Sequence, residues 1–145
     1  MKAEISAIKA VLQAGLSGIK SRDIYVTEDI RLIRATGGYP AIGIKDGTTN
    51  FDTEVSDQVE VVQTVTLAVY VQLFKPEAGI MGDTIQKGVL ELAADIIVLL
   101  RNNDLGGLAD SSLPLSIGAS ELLTDGNLVI QMAPVVMQYT KYDDL

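Results

Sequence analysis

The chain has 145 residues, 48% of them hydrophobic, with 19 acidic and 11 basic side chains and a formal net charge of −8. That length sets one domain as the expectation, and the apolar content supports a packed core over disorder. With no cysteine and no histidine, disulfides, thiolate metal sites and the commonest general base are excluded, and the acidic balance argues against binding nucleic acid through its phosphates.

Purely apolar stretches such as Ile96–Leu100 fall far short of the ~20 residues that span a bilayer. The N-terminal segment carries Lys2 and Glu4 in an amphipathic pattern without a signal-peptide core, so the expectation is a protein assembled in the cytosol.

Residues 3 to 19 predict a helix, because Ile5, Ile8, Leu12, Leu16 and Ile19 recur at three- and four-residue spacing as one apolar stripe. Gly15 and Gly18 weaken its end: either they let another element pack closely or they mark fraying. Ile24–Val26 and Ile30–Ile33 are short apolar pieces split by Thr27, Glu28 and Asp29, read as one strand or as two with a turn. Ala41–Ile44 is a further strand, in which Gly43 signals a bulge or a close backbone approach. Lys45 to Gln58 (KDGTTNFDTEVSDQ) is polar and acidic and begins at the turn dipeptide Asp46-Gly47, which predicts a long hairpin loop over 45–58.

Val59 to Phe74 (VEVVQTVTLAVYVQLF) is a β-branched and aromatic run without glycine or proline. At about 3.3 Å per residue one strand of this length spans roughly 50 Å. A compact domain of this size is about 40 Å across. The strand's end should therefore project, and a projecting strand calls for a partner. Val61, Val65, Leu67, Val69, Val71 and Leu73 share one aliphatic face that should pack on helices. Val62, Thr64, Thr66, Ala68, Tyr70 and Phe74 share the other, whose intermediate polarity suits cover by a neighbouring chain.

Pro76 and Gly79 end this strand, and Asp83 is placed to cap a second helix running to about Asn102. Ile85, Val89, Leu92, Ile96 and Leu99, widened by Leu90, Ala93, Ile97 and Leu100, give that helix a broad buried face. Lys87, Glu91 and Asp95 mark its wet side. Leu113, Leu115 and Ile117 alternate as a strand, Asp125-Gly126 is a hairpin turn, and Leu128–Tyr139 is a long run that Pro134 demotes toward an edge or a bulge. The order α-β-β-β-α-β-β is an α+β fold: an antiparallel or mixed sheet covered on one face by two helices, with a long β-hairpin.

The same residues supply no catalytic constellation. Asp46, Asn50, Asp52, Glu54 and Asp57 gather oxygen ligands in the loop, but their spacing departs from the calcium-loop pattern, so a solvated acidic loop is the reading and no metal is expected. Glu91 and Asp95 lie one helical turn apart beside Lys87, where solvated charges sit. Gly37-Gly38 and Gly106-Gly107 read as turns, not phosphate loops, and Ser111, Ser112 and Ser116 have no histidine to activate them. The expectation is a non-enzyme without cofactors.

In the order and size of its elements the chain resembles the tail-terminator, or tail-completion, proteins of long-tailed bacteriophages. The matching features are the N-terminal helix Ala3–Ile19, the segment Tyr39-Pro40-Ala41-Ile42-Gly43-Ile44, the acidic loop, the long strand, the single long helix Asp83–Asn102 and the C-terminal hairpin. The resemblance implies a homo-oligomeric ring, a hexamer in this family, that caps the tail tube in the virion, stops its polymerisation and joins the head–neck connector. It also implies that DNA passes the channel without specific binding. Its partners would be further copies of itself, the tail tube protein and the connector. On that reading Ile42, Ile44, Val62, Thr64 and Thr66 lie near subunit contacts, and the loop with Asp46, Asp52 and Glu54 touches the tube or connector. The alternatives are a neck or head-completion adaptor, a small cytosolic α+β enzyme or ligand-binding protein, and a monomeric module that pairs strands through its sheet edge.

Overall fold

A computed structural model describes residues 1–35, 38–53, 57–83 and 86–144. It is an α+β domain: a six-stranded mixed sheet with three helices. Helix α1 (Lys2–Gly15) leads through a 3-10 turn (Ser21–Asp23) into β1 (Ile24–Val26). Then come β2 (Ala41–Asp52), β3 (Gln58–Gln72), α2 (Pro76–Met81), α3 (Val89–Leu100), β4 (Ser111–Ile117), β5 (Glu121–Asp125) and β6 (Leu128–Asp144). The sheet order is β1-β2-β3-β6-β4, with β5 pairing β6 beyond the end of β4. Among the described residues β1 and β2 run parallel and the other pairings are antiparallel.

One face of the sheet carries the main core. Ile5, Ile8 and Leu12 of α1 and Leu92, Ala93 and Ile96 of α3 meet Ile44, Leu67, Val69 and Val135 from the strands. The alternation of β3 places its aliphatic side here, with Val65, Leu67 and Val69 fully buried as the sequence predicts. Gly15 settles its own two readings. A Cβ there would lie 2.7 Å from a Leu99 methyl, so its role is close approach of α1 to α3; the helix ends at Gly15, short of the expected Ile19, and Gly18 lies in the bend beyond it at φ 82°.

The opposite face has a smaller core of Ala41, Ala68, Tyr70, Ile130 and Met132. Its cover is the chain itself. Ile30, Ile33, Ala35 and Tyr39, in the segment between β1 and β2, pack on it. The second expected strand, Ile30–Ile33, is thus an irregular strap across the sheet. Tyr70 donates to the Ile30 carbonyl at 2.5 Å, Tyr25 accepts from the Arg34 N–H at 3.0 Å, and Tyr39 donates to Asp125 at 2.6 Å. The cover expected from a neighbouring chain is therefore internal over this half of the face.

Three further expectations need correction. Residues 45–52 are strand, not loop: β2 pairs with β3 out to Asp52 opposite Glu60. Asp46-Gly47 forms a bulge between Asp46 and Thr49, because the ladder resumes beyond it and Thr64 Oγ1 accepts from the Thr48 N–H at 3.1 Å. The long helix expected from Asp83 is α3 and begins at Val89, while Pro76 and Gly79, expected only to end the strand, lie in the short helix α2. Asp83 instead closes a tight turn, its carboxylate accepting from the Gln86 N–H at 2.9 Å, and the Glu91 side chain accepts from the Gly88 N–H at the true helix start. Finally, Pro134 sits in an interior strand. The Pro134 carbonyl accepts from Gly118 N–H at 2.8 Å, on the side where β4 has ended and β5 has not begun, so the missing proline donor faces a gap in the ladder.

Tyr139 is 2% exposed in the main core, and its hydroxyl has no hydrogen-bond partner among the described residues. An unpartnered buried hydroxyl costs stability that a phenyl ring would not. Tyr139→Phe should therefore leave stability unchanged or raise it by about 1 kcal/mol, read as the midpoint of urea unfolding. A loss of stability would show that the hydroxyl is bonded after all.

Candidate functional site

The ends of β2, β3 and β6 form a ribbon. Its last row, Asp52–Glu60–Tyr142, crosses three strands, and the row Asn50–Val62–Thr140 continues to Ser111 of β4. Phe51 (69% exposed) and Tyr142 (45%) stand near its end. They lie on opposite faces, Phe51 in register with Val61 on the helix side and Tyr142 in register with Glu60 on the open side. The long run expected from the sequence is one strand, β3, paired with β2 and β6 to its end.

The predicted contact residues divide into two groups. Val62, Thr64 and Thr66 are half-buried on the sheet face opposite the helices, in the part the strap leaves open, beside Val136 and Gln138 of β6. Asp46 and Asp52 are exposed along β2, and Glu54 lies outside the described residues. Ile42 and Ile44 are different: both are 0% exposed in the subunit's own core, so they offer no surface to a neighbour. Their parity on β2 is that of Val69 and Leu67, the helix-facing side, a register that cannot be read without knowing which β3 residue each one opposes.

Sequence reasoning missed Phe51 and Tyr142, because an isolated aromatic in a polar segment reads as either packing or display. It did not show that Leu113 (51%), Leu115 (48%) and Ile117 (40%) of β4, the strand it expected there, are exposed at a sheet edge. The alternation of these three was visible as a strand, but alternation alone does not say which face is covered.

The charged groups on these surfaces are ordinary solvated pairs. Lys45 bonds the Asp46 carboxylate and holds its pKa below the usual carboxylate range. Lys87 bonds Asp95 at 2.7 Å and its pKa is raised by that contact. Arg34 pairs with Glu28, and Arg31 with Glu121 at 3.2 Å. Exposed pairs like these contribute little to stability.

A cleft of 540 Å³ lies at the other end of β3, lined by Tyr39, Pro40, Val71, Phe74, Gln86 and Lys87 among others. Its size suits a small ligand. Its strongest polar groups are engaged elsewhere, Lys87 with Asp95 and Tyr39 with Asp125. Nucleophile, base and orienting group do not converge there. Among the described residues no helix is long and apolar enough to cross a membrane. No family model matches the chain, and no curated protein matches it.

Proposed function

We propose that the chain is a virion structural subunit that assembles into a ring, a hexamer in the favoured reading, capping a phage tail tube, ending its polymerisation and joining it to the head–neck connector. The observation that carries this reading is the long β2–β3–β6 ribbon with its open face. Val62, Thr64 and Thr66 form a half-buried row that the chain's own strap and helices leave without cover. Such a face is suited to contact with another protein. The acidic balance is compatible with a channel that lets DNA slide, since a phosphate-gripping lumen would need a basic surplus. No catalytic role or cofactor is assigned to the chain.

Light scattering behind a sizing column, repeated with tail tubes added, tests the proposal. Six chains of 15.5 kDa should scatter as about 93 kDa, with rings visible by negative stain. Thr64→Lys with Thr66→Lys should keep the circular dichroism of the wild type and lose the ring, because desolvating two added ammonium groups at a contact is costly. A wild-type chain that stays monomeric and forms no ring even on tubes overturns the reading.

A further inference from the structure

We propose that the end of the β2–β3–β6 ribbon is a docking surface for a basic segment of a partner protein, whose arginine and lysine side chains meet a row of carboxylates and two flanking aromatic rings. The surface is defined by strand register, exposure and charge, and it stands whether or not the chain forms a ring.

The ladder itself brings the charges together. Asp52 of β2 lies opposite Glu60 of β3, and Glu60 lies opposite Tyr142 of β6. The Tyr142 N–H donates to the Asp110 carboxylate at 2.8 Å, which sets another acidic side chain beyond β6 on the same row. Asp143, exposed, is one step further along β6, opposite Val59. Four carboxylates thus stand at one end of the ribbon. The base beside them on β6, Lys141, is in register with Val61 and so faces the helix side. Like charges directly opposite each other, as Asp52 and Glu60 are, cost a ladder stability. Glu60 and Asp143 form no ion pair among the described residues, so the chain itself does not neutralise these two.

The rings flank this row. Phe51 stands open on the helix side and Tyr142 on the open side. A side-chain cation held by a carboxylate can lie on a neighbouring aromatic face at the same time, a contact arginine makes especially well. The sign of the charge selects the occupant. Nucleic acid, an anionic lipid surface and a second copy of this chain, itself of net −8, are all repelled by the row. A single divalent cation is not the fit either, because among the described residues no three carboxylates converge to hold a metal ion. Carboxylates set out in a line, at the roughly 4.8 Å spacing of neighbouring strands, suit several cations carried on one basic segment.

The test is a nuclear magnetic resonance titration of the isotope-labelled chain with an acetylated and amidated hexa-arginine peptide at low salt. Amide shifts should saturate and centre on Phe51, Asp52, Glu60 and Tyr142, and added salt should reverse them. Glu60→Gln with Asp143→Asn should weaken binding about tenfold. Glu28→Gln with Glu77→Gln removes the same charge from exposed sites elsewhere and should leave binding nearly unchanged. Phe51→Leu with Tyr142→Leu leaves the charge untouched and should weaken binding roughly threefold. Circular dichroism confirms the fold of each variant. Shifts scattered over acidic residues of the whole chain, or equal losses in the two charge variants, would show attraction to net charge alone and overturn the docking surface. A titration without saturation overturns it too, and unchanged affinity in the leucine pair overturns the part given to the rings. Ring formation is read separately by light scattering, so the surface and the ring reading can each fail alone.

Discussion

Raising the pH through 10 should unfold this protein in one steep, cooperative step. Tyr70 is 0% exposed and Tyr139 2%, and both phenols are pushed well above the ordinary value of 10.0, chiefly by burial. Tyr70 is raised further by the neighbouring Tyr25 phenol, its stacked partner at 6.5 Å. A raised phenol keeps its proton in the folded state while the unfolded chain releases it. Above pH 10 the folded state thus binds more protons than the unfolded one, and stability falls as pH rises. Each such tyrosine contributes a slope of about 1.4 kcal/mol per pH unit, so the pair removes about 5 kcal/mol between pH 10 and 12. That is comparable with the whole stability of an ordinary domain, about 5–15 kcal/mol. Tyr39 shifts the same way through burial and its bond to Asp125, and Lys87, held charged by Asp95, also loses its contribution as pH rises. Tyrosinate absorbance and circular dichroism should change together near pH 12. In Tyr139→Phe the slope should fall by about half. Tyrosines that ionise fully near their ordinary value with the fold intact would refute this.

What the sequence made legible was whatever depends on a local repeat. The stripe Ile5–Ile8–Leu12 made α1 visible, and the alternation Val65–Leu67–Val69 made the inner face of β3 visible, because burial on one side writes a period into the chain. What stayed hidden depends on partners distant in sequence. The strap is the clearest case. Ile30, Ile33 and Tyr39 have no period, and their destination on Tyr70 and Met132 follows from a crossing of the sheet that no spacing encodes. The same holds for the candidate site. Val62, Thr64 and Thr66 were read correctly onto one face of β3, because strand parity is local. Ile42 and Ile44 were assigned to a contact they cannot make, because their parity relative to β3 depends on register. The helix start moved from Asp83 to Val89 for a related reason. An aspartate before an apolar run is a cap signal whether the turn it closes is the helix's own or the one before it.

Gly47→Ala should destabilise the chain by about 2–4 kcal/mol, although position 47 is exposed and an exposed alanine is usually harmless. A Cβ there would lie 2.3 Å from Thr64 Oγ1 and 2.5 Å from the Thr64 backbone carbonyl oxygen. Rotating the threonine removes the first overlap but leaves the second, since the carbonyl belongs to the ladder that holds β3 in place. The bulge between Asp46 and Thr49 must open, and with it the contact of the Thr48 N–H to Thr64. Two further variants separate the side-chain from the backbone overlap. Gly47→Ala with Thr64→Ala should regain only part of the loss. Gly126→Ala, where nothing lies within 4 Å and only the left-handed φ of 60° is strained, should cost about 1 kcal/mol. Full recovery in the double variant would show that the backbones have room to spare. The bulge also has a bearing on assembly. It is the point where β2 re-registers on β3 beside Thr64 and Thr66, so whatever docks on that open face reads a surface shaped by the glycine. On the ring reading, Gly47→Ala should weaken assembly even at temperatures where the chain remains folded. The dipeptide that looked like the start of a loop is then the device that carries β2 onward along β3.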